Sequence, residues 1–196
     1  MQRVVVMRHG DRLDQAEPIW PANKPRPWDP PLTDAGLLRA WTVGKRIRAA
    51  AASSSDGWAI HRVLVSPFLR CRQTAARAVA ALCAVPHDAA LLSIDDPANV
   101  PLDTSRLKVS IEYGMAEMMN TQAMGGEGVG ASVSYFEMGL EIYDVEYCAY
   151  SVLERQVKMK PGDEEGGFTA DSFKVLTKSG TTGIQYAAVS ESWFVG

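Results

Sequence analysis

Cysteine is scarce in this chain: Cys71, Cys83 and Cys148 are an odd number without paired spacing. That excludes a disulfide framework and a cysteine-built zinc site, and it fits a reducing compartment. Histidine is equally scarce, with only His9, His61 and His87. No sign of charge dominates: 20 Lys and Arg stand against 23 Asp and Glu, a net charge of -3, which leaves no electrostatic case for nucleic acid as a partner. No apolar run is long enough to span a bilayer, and no charged leader with a cleavable apolar stretch precedes the first strand, so a cytoplasmic protein without a membrane partner is expected. There is no internal repeat. Hydrophobic residues at 46% and charged residues at 22% exclude a collagenous or disordered chain, and 196 residues suit one domain, 1–196.

What is present begins with VVVMRHGDR. The apolar run predicts a buried strand from Arg3 to Met7, whose carboxyl end delivers Arg8, His9, Gly10, Asp11 and Arg12 into a loop. Strand ends of this kind are where open α/β sheets place ligands, and an imidazole between permanent cations suggests an anion site. Leu13 to Pro31 carries too many prolines for regular structure and is expected as a loop, in which Trp20 and Trp28 either cap the core or wall a pocket. At PLTDAG, Thr33 or Asp34 can cap a helix with an inner stripe of Leu37, Trp41, Gly44 and Ile47, ending in the Ala/Ser run before Gly57.

IHRVLVSP, residues 60 to 67, predicts a second buried strand, and Ser66-Pro67 suits a helix entrance. The helix that follows would bury Ala75, Val79, Leu82 and Cys83 against the sheet. Arg70 and Arg72 fall in or beside its first turn, at the positive end of the helix dipole, a misfit that an anion would relieve. A linker from Pro86 to Ser105, broken by three prolines, leads to LKVSIEYG. There the alternation of Leu107, Val109 and Ile111 with Lys108, Ser110 and Glu112 predicts a third strand stopping at Gly114. GGEGVGASVSYF reads as a glycine-rich turn into a short helix. YDVEYCAYSVLE and SFKVLTKSG read as two antiparallel strands joined by PGDEEGG. From about Thr181 the tail has no assignable pattern and is expected to be weakly structured.

Arg-His-Gly after a strand, PLTDAG opening the next helix and SPFLRCRQTA after the next strand resemble, in that order, the histidine phosphatase superfamily of phosphoglycerate-mutase-like proteins. The resemblance covers residues 3 to about 120. It implies an α/β three-layer sandwich with a mostly parallel central sheet. It also implies a phosphomonoester hydrolase acting on a phosphorylated small molecule or phosphoprotein through a phosphohistidine. In it His9 is the nucleophile, Gly10 leaves space for the phosphate, Arg8 and Arg70 clamp the phosphoryl oxygens, and Arg12 is a further binding arginine. No cofactor and no metal are implied, since guanidinium groups can neutralise the phosphate. The leaving-group acid is Glu112 or Glu117. Glu117 is preferred because Glu112 falls within the strand and Glu117 beyond its carboxyl end.

The chain departs from the family in one stretch. The family has a second histidine at the end of another strand, and here Gly125 stands in its place. His61, at the start of a strand, and His87, in a loop after a helix, do not replace it. Seven residues, Met118 to Met124, separate Glu117 from Gly125, too few for the family's helical insert and strand together. An internal segment is therefore expected to be absent, the sheet incomplete and the activity impaired. A non-catalytic binder of phosphorylated ligands and a phosphoglycerate-type mutase are the alternative functions. No identifiable C-terminal lid favours the mutase.

Overall fold

A computed structural model of the chain describes residues 1–16, 26, 28–115, 140–160 and 167–188. They fall into two compact units, His9–Gly130 and the pair of segments Met1–Arg8 with Ala131–Gly196. Helices and strands mix throughout, as an α/β chain requires. The first strand, β1 (Gln2–Met7), belongs to the second of these units.

In His9–Gly130 a single turn, α1 (Leu13–Ala16), interrupts the expected loop. Helix α2 (Asp34–Ser53) starts and stops where PLTDAG and the Ala/Ser run place it, with the Thr33 hydroxyl capping it. It buries Trp41, Gly44 and Ile47, while Leu37 is half-buried. Strand β2 (Arg62–Val65) leads to α3 (Leu69–Cys83). The face that α3 buries is Arg70, Thr74, Ala78, Ala81 and Cys83, so of the expected stripe only Cys83 is fully covered. The cause is that α3 packs on α2: a Cβ at Gly44 would lie 2.7 Å from the Ala78 carbonyl oxygen and 2.9 Å from the Ala81 Cβ. Small residues bring two helix backbones together, and that turns the interior side of α3 toward its neighbour helix.

The expected linker from Pro86 holds α4 (Asp88–Leu92) and a 3-10 turn, Thr104–Arg106. Leu91 joins Trp41, Ala81 and Ala84 in a core with Ala80, Ile94 and Val100 beside it. The indole N–H of Trp41 donates to the Ile94 carbonyl at 2.9 Å, and the buried Lys45 ammonium donates to Leu92 and Ile94 carbonyls at 3.1 and 2.8 Å. These bonds satisfy the polar ends that the core encloses. Strand β3 (Lys108–Ile111) pairs in parallel with β2, Arg62 opposite Lys108 and Val65 opposite Ile111. Neither strand is buried along its length as expected: Val65 and the flanking Leu107 are covered, whereas Leu64, Val109 and Ile111 are 46–50% exposed.

In the other unit β1 pairs antiparallel with β5 (Tyr150–Arg155), from Gln2 opposite Arg155 to Met7 opposite Tyr150, and β5 pairs with β8 (Lys174–Val175). The stretch expected as one strand from Tyr143 to Glu154 is two, β4 (Leu140–Val145) and β5. They are divided by a turn in which the buried Cys148 adopts a left-handed backbone, φ 58°. β6 (Val157–Met159) and β7 (Phe168–Ala170) pair antiparallel, Val157 opposite Ala170 and Met159 opposite Phe168. The tail, where no element is expected, supplies β9 (Ile184–Ala188), antiparallel to β4.

The mostly parallel central sheet is therefore corrected: among the described residues only β2 and β3 are parallel, and every sheet has two or three strands. β1 and β2 belong to different sheets. A parallel partner requires a crossover connection, while an antiparallel one needs none and tolerates a wet face. β1 fits the second case, since none of its residues is fully buried. Arg3 on β1 meets Glu154, its cross-strand partner, at 2.7 Å.

Candidate functional site

The His9 loop is built by three motifs locking together within one unit. The His9 Nδ1 lies 2.9 Å from the Gly10 carbonyl oxygen. A carbonyl only accepts, so Nδ1 carries the proton, and in the neutral ring the lone pair is on Nε2. The buried Gly10 N–H donates to the Thr74 hydroxyl at 3.0 Å, and that hydroxyl donates to the Arg70 carbonyl at 2.8 Å. This relay ties the loop after His9 to the first turns of α3, where Arg70 sits.

The next residues of the loop are held by PLTDAG. The Thr33 N–H donates to the Asp11 carbonyl at 2.9 Å, the Leu13 N–H donates to the Pro31 carbonyl at 2.9 Å, and Arg12 and Leu32 form an antiparallel bridge. The Leu32 N–H donates to Gln73 Oε1 at 2.8 Å, so α3 holds this segment too. Gly36 is where α2 and the loop come closest: a Cβ there would stand 2.7 Å from the Asp11 carbonyl oxygen and 2.8 Å from its nitrogen. Arg39, one turn further, pairs with the Asp11 carboxylate at 3.0 Å.

Arg70 is buried, its guanidinium 4.3 Å above the Phe68 ring and its Nη1 3.9 Å from Asp29 Oδ1. Asp29 is buried as well. Its Oδ1 accepts from the Leu69 N–H at 2.7 Å and its Oδ2 pairs with the Arg26 guanidinium at 2.9 Å. The helix entrance at Ser66-Pro67 is thus corrected: α3 begins at Leu69, Phe68 offers no side-chain cap, and the Leu69 N–H is met by Asp29 from the loop before α2. Arg70, one of the two cations at the positive helix end that suggested an outside anion, already faces a carboxylate of the same chain.

The other expected site residues each have local partners. Arg8 belongs to the other unit, where its guanidinium donates to the Val145 carbonyl and stacks on the Tyr147 ring at 4.4 Å. Arg12 grips Asp14 through two contacts, 2.9 and 2.5 Å. Glu112 falls one residue past β3 and its carboxylate accepts from the Gly114 N–H, while Arg72 is exposed. His61 precedes β2, and His87 caps α4 through Nδ1. Trp28 is 45% exposed. Glu117, Gly125, Trp20 and the expected helix after the glycine-rich turn lie outside the described residues.

Asp29, Gln73 and Thr74 escaped the sequence reading as working residues. A signal existed for Asp29, because α3 has two arginines and no acid in its first turns, and a cap had to come from elsewhere. Among the described residues no three His, Cys, Asp or Glu side chains are grouped to hold a metal ion, and no helix is long and apolar enough to cross a membrane.

Residues 4–95 match the family model of the histidine phosphatase superfamily (branch 1). No curated protein matches the chain. Solved structures similar to it include two proteins that carry the name phosphohistidine phosphatase SixA. The one from Agrobacterium tumefaciens is 15% identical, with 88% of this chain and 96% of that one covered and a TM-score of 0.38. The one from Nakamurella multipartitia is 16% identical, with 88% and 95% covered and a TM-score of 0.34. A third, Mycobacterial hydrolase 1, is 11% identical, with 88% and 98% covered and a TM-score of 0.38.

Proposed function

From the match of residues 4–95 to the histidine phosphatase superfamily (branch 1) we propose that the chain is a phosphomonoester hydrolase working through a phosphohistidine at His9. The observation that carries the reading is the 2.9 Å contact between His9 Nδ1 and the Gly10 carbonyl, which leaves Nε2 as the nucleophilic nitrogen of the neutral ring. Nε2 attacks phosphorus, the ester P–O bond breaks, and Glu117 gives its proton to the leaving oxygen. Water then attacks the phosphohistidine, passing a proton to the Glu117 carboxylate as inorganic phosphate leaves. Arg70 and Arg8 bind the phosphoryl oxygens, with Arg12 as a further contact and Gly10 giving room, so the charge is met without a divalent cation. Residues 1–196 act as one domain of the family, in the cytoplasm, on a phosphorylated small molecule or phosphoprotein.

With Gly125 where the family has its second histidine, one preorganised donor is missing, a loss of about 10²–10³ in rate in other enzymes. One observation favours a second reading, a non-catalytic binder of phosphorylated ligands. The Arg8 guanidinium is engaged by the Val145 carbonyl and the Tyr147 ring.

The test is phosphate release from a panel of phosphomonoesters by the purified chain and by His9→Ala, with acid-labile phosphoenzyme sought in each. Turnover and phosphoenzyme that vanish together in His9→Ala are expected. Turnover that survives the substitution refutes the nucleophile. Phosphate-dependent thermal stabilisation without any turnover establishes the binding reading instead.

A further inference from the structure

We infer that Asp29 is a positioning residue that acts through Arg70. Its carboxylate holds the start of α3 and opposes the charge that would bind phosphate, so it sets how readily phosphate leaves. The inference rests on the reading of Arg70 as a phosphate-binding residue. Both side chains are almost wholly enclosed, 2% and 5% exposed, so the field between them is weakly screened. The contact is nevertheless loose. At 3.9 Å from Nη1, Oδ1 makes no hydrogen bond to Arg70, because that oxygen points to the Leu69 N–H at 2.7 Å, and Oδ2 turns to Arg26 at 2.9 Å. Asp29 therefore compensates the guanidinium without occupying its hydrogen-bonding edge. A phosphoryl group bound by Arg70 would therefore feel a fixed negative charge 3.9 Å from the guanidinium.

Two consequences follow from the same carboxylate. Without a ligand it offsets a cation at the positive end of α3, which stabilises the fold. With phosphate bound it repels the ligand, which weakens binding and favours product release. Asparagine separates these roles, since its side-chain oxygen still accepts from the Leu69 N–H as a helix cap while the charge is gone. A charge within about 4–6 Å shifts an ionic equilibrium by one to three decades, and since phosphate on the guanidinium would lie farther from Asp29 than Arg70 does, the low end applies, about a tenfold gain in phosphate affinity for Asp29→Asn.

The experiment is calorimetric titration of the full chain with inorganic phosphate, together with melting temperatures with and without phosphate, for wild type, Asp29→Asn, Asp29→Ala and Arg70→Ala. Asp29→Asn is expected to melt lower than wild type without phosphate, to bind phosphate about tenfold more tightly and to gain more from saturating phosphate. Asp29→Ala loses stability further through its missing cap, and Arg70→Ala loses phosphate binding. A role confined to structure would lower the melting temperature in both Asp29 variants and leave the phosphate constant unmoved. Equal or weaker phosphate binding by Asp29→Asn, beside a wild type whose binding depends on Arg70, overturns the inference and leaves the reading of Arg70 standing. An Asp29→Asn chain that stays unfolded even in saturating phosphate overturns it too. Wild type without phosphate binding, or with binding untouched by Arg70→Ala, overturns the reading of Arg70 and the inference with it.

Discussion

Replacing Gly36 by alanine adds one methyl group where α2 meets the loop that carries His9. The new Cβ would stand 2.7 Å from the Asp11 carbonyl oxygen and 2.8 Å from its nitrogen, and ordinary van der Waals contact begins at 3.4 Å, so the two must part by about 0.7 Å. Both obstructing atoms are backbone, held by the Thr33 N–H at 2.9 Å and by the neighbouring Arg12–Leu32 bridge, and no side chain can swing away to absorb the strain. Overpacking of this kind costs about 1–3 kcal/mol, while alanine at a helical glycine gains roughly 0.5–1 kcal/mol. The balance is a loss of up to about 2.5 kcal/mol, centred near 1 kcal/mol, or roughly 2–4 °C in melting temperature for a chain of this size. Asp11 lies two residues from His9, and a reacting group misplaced by about an ångström forfeits on the order of 10² in rate, so phosphate release should fall more than the melting temperature alone explains. Thermal unfolding and phosphate release are measured side by side on Gly36→Ala. A melting temperature equal to or above wild type, with turnover intact, would refute the argument that this glycine is required by the close approach of Asp11.

Gly44→Ala meets the Ala78 carbonyl oxygen at 2.7 Å, the Ala78 Cα at 2.8 Å and the Ala81 Cβ at 2.9 Å. Prising α2 from α3 should cost about 1–3 kcal/mol, read as a lower denaturant midpoint, and an unchanged midpoint would contradict the packing. The Cys83 thiol is pushed above its ordinary pKa chiefly by burial, with Arg106 and Arg48 pulling it down and Asp103 up. In the folded chain it keeps its proton at pH values where the unfolded chain has lost it. Its contribution to stability is therefore present at neutral pH and is lost as pH rises from the ordinary thiol range to the raised value. Melting temperature should decline less from neutral to alkaline pH in Cys83→Ala than in wild type, and parallel declines would count against it.

Local chemistry determined much of this protein in one dimension. A threonine three residues ahead of a glycine, followed by a helical stripe, places the start of α2 to within a residue, because a cap and the N–H that donates to it are neighbours in sequence. The apolar run before Arg8, the alternation around Val109 and the order of the three motifs likewise needed only nearby residues, and the motifs carried the resemblance to the family whose model matches residues 4–95. Tertiary structure decided what those elements meet. Whether β1 takes a parallel neighbour or the distant β5, whether α3 buries its Ala75 face or its Ala78 face, and whether the tail joins β4 depend on partners up to 153 residues away in sequence, which no local pattern names. The same holds at the candidate site. Arg8, His9 and Arg70 were legible as residue types suited to phosphate. That Asp29 caps α3 beside Arg70, and that Thr74 and Gln73 hold the His9 and Leu32 segments, follows from hydrogen bonds spanning 40, 64 and 41 positions, where burial and geometry choose the partner.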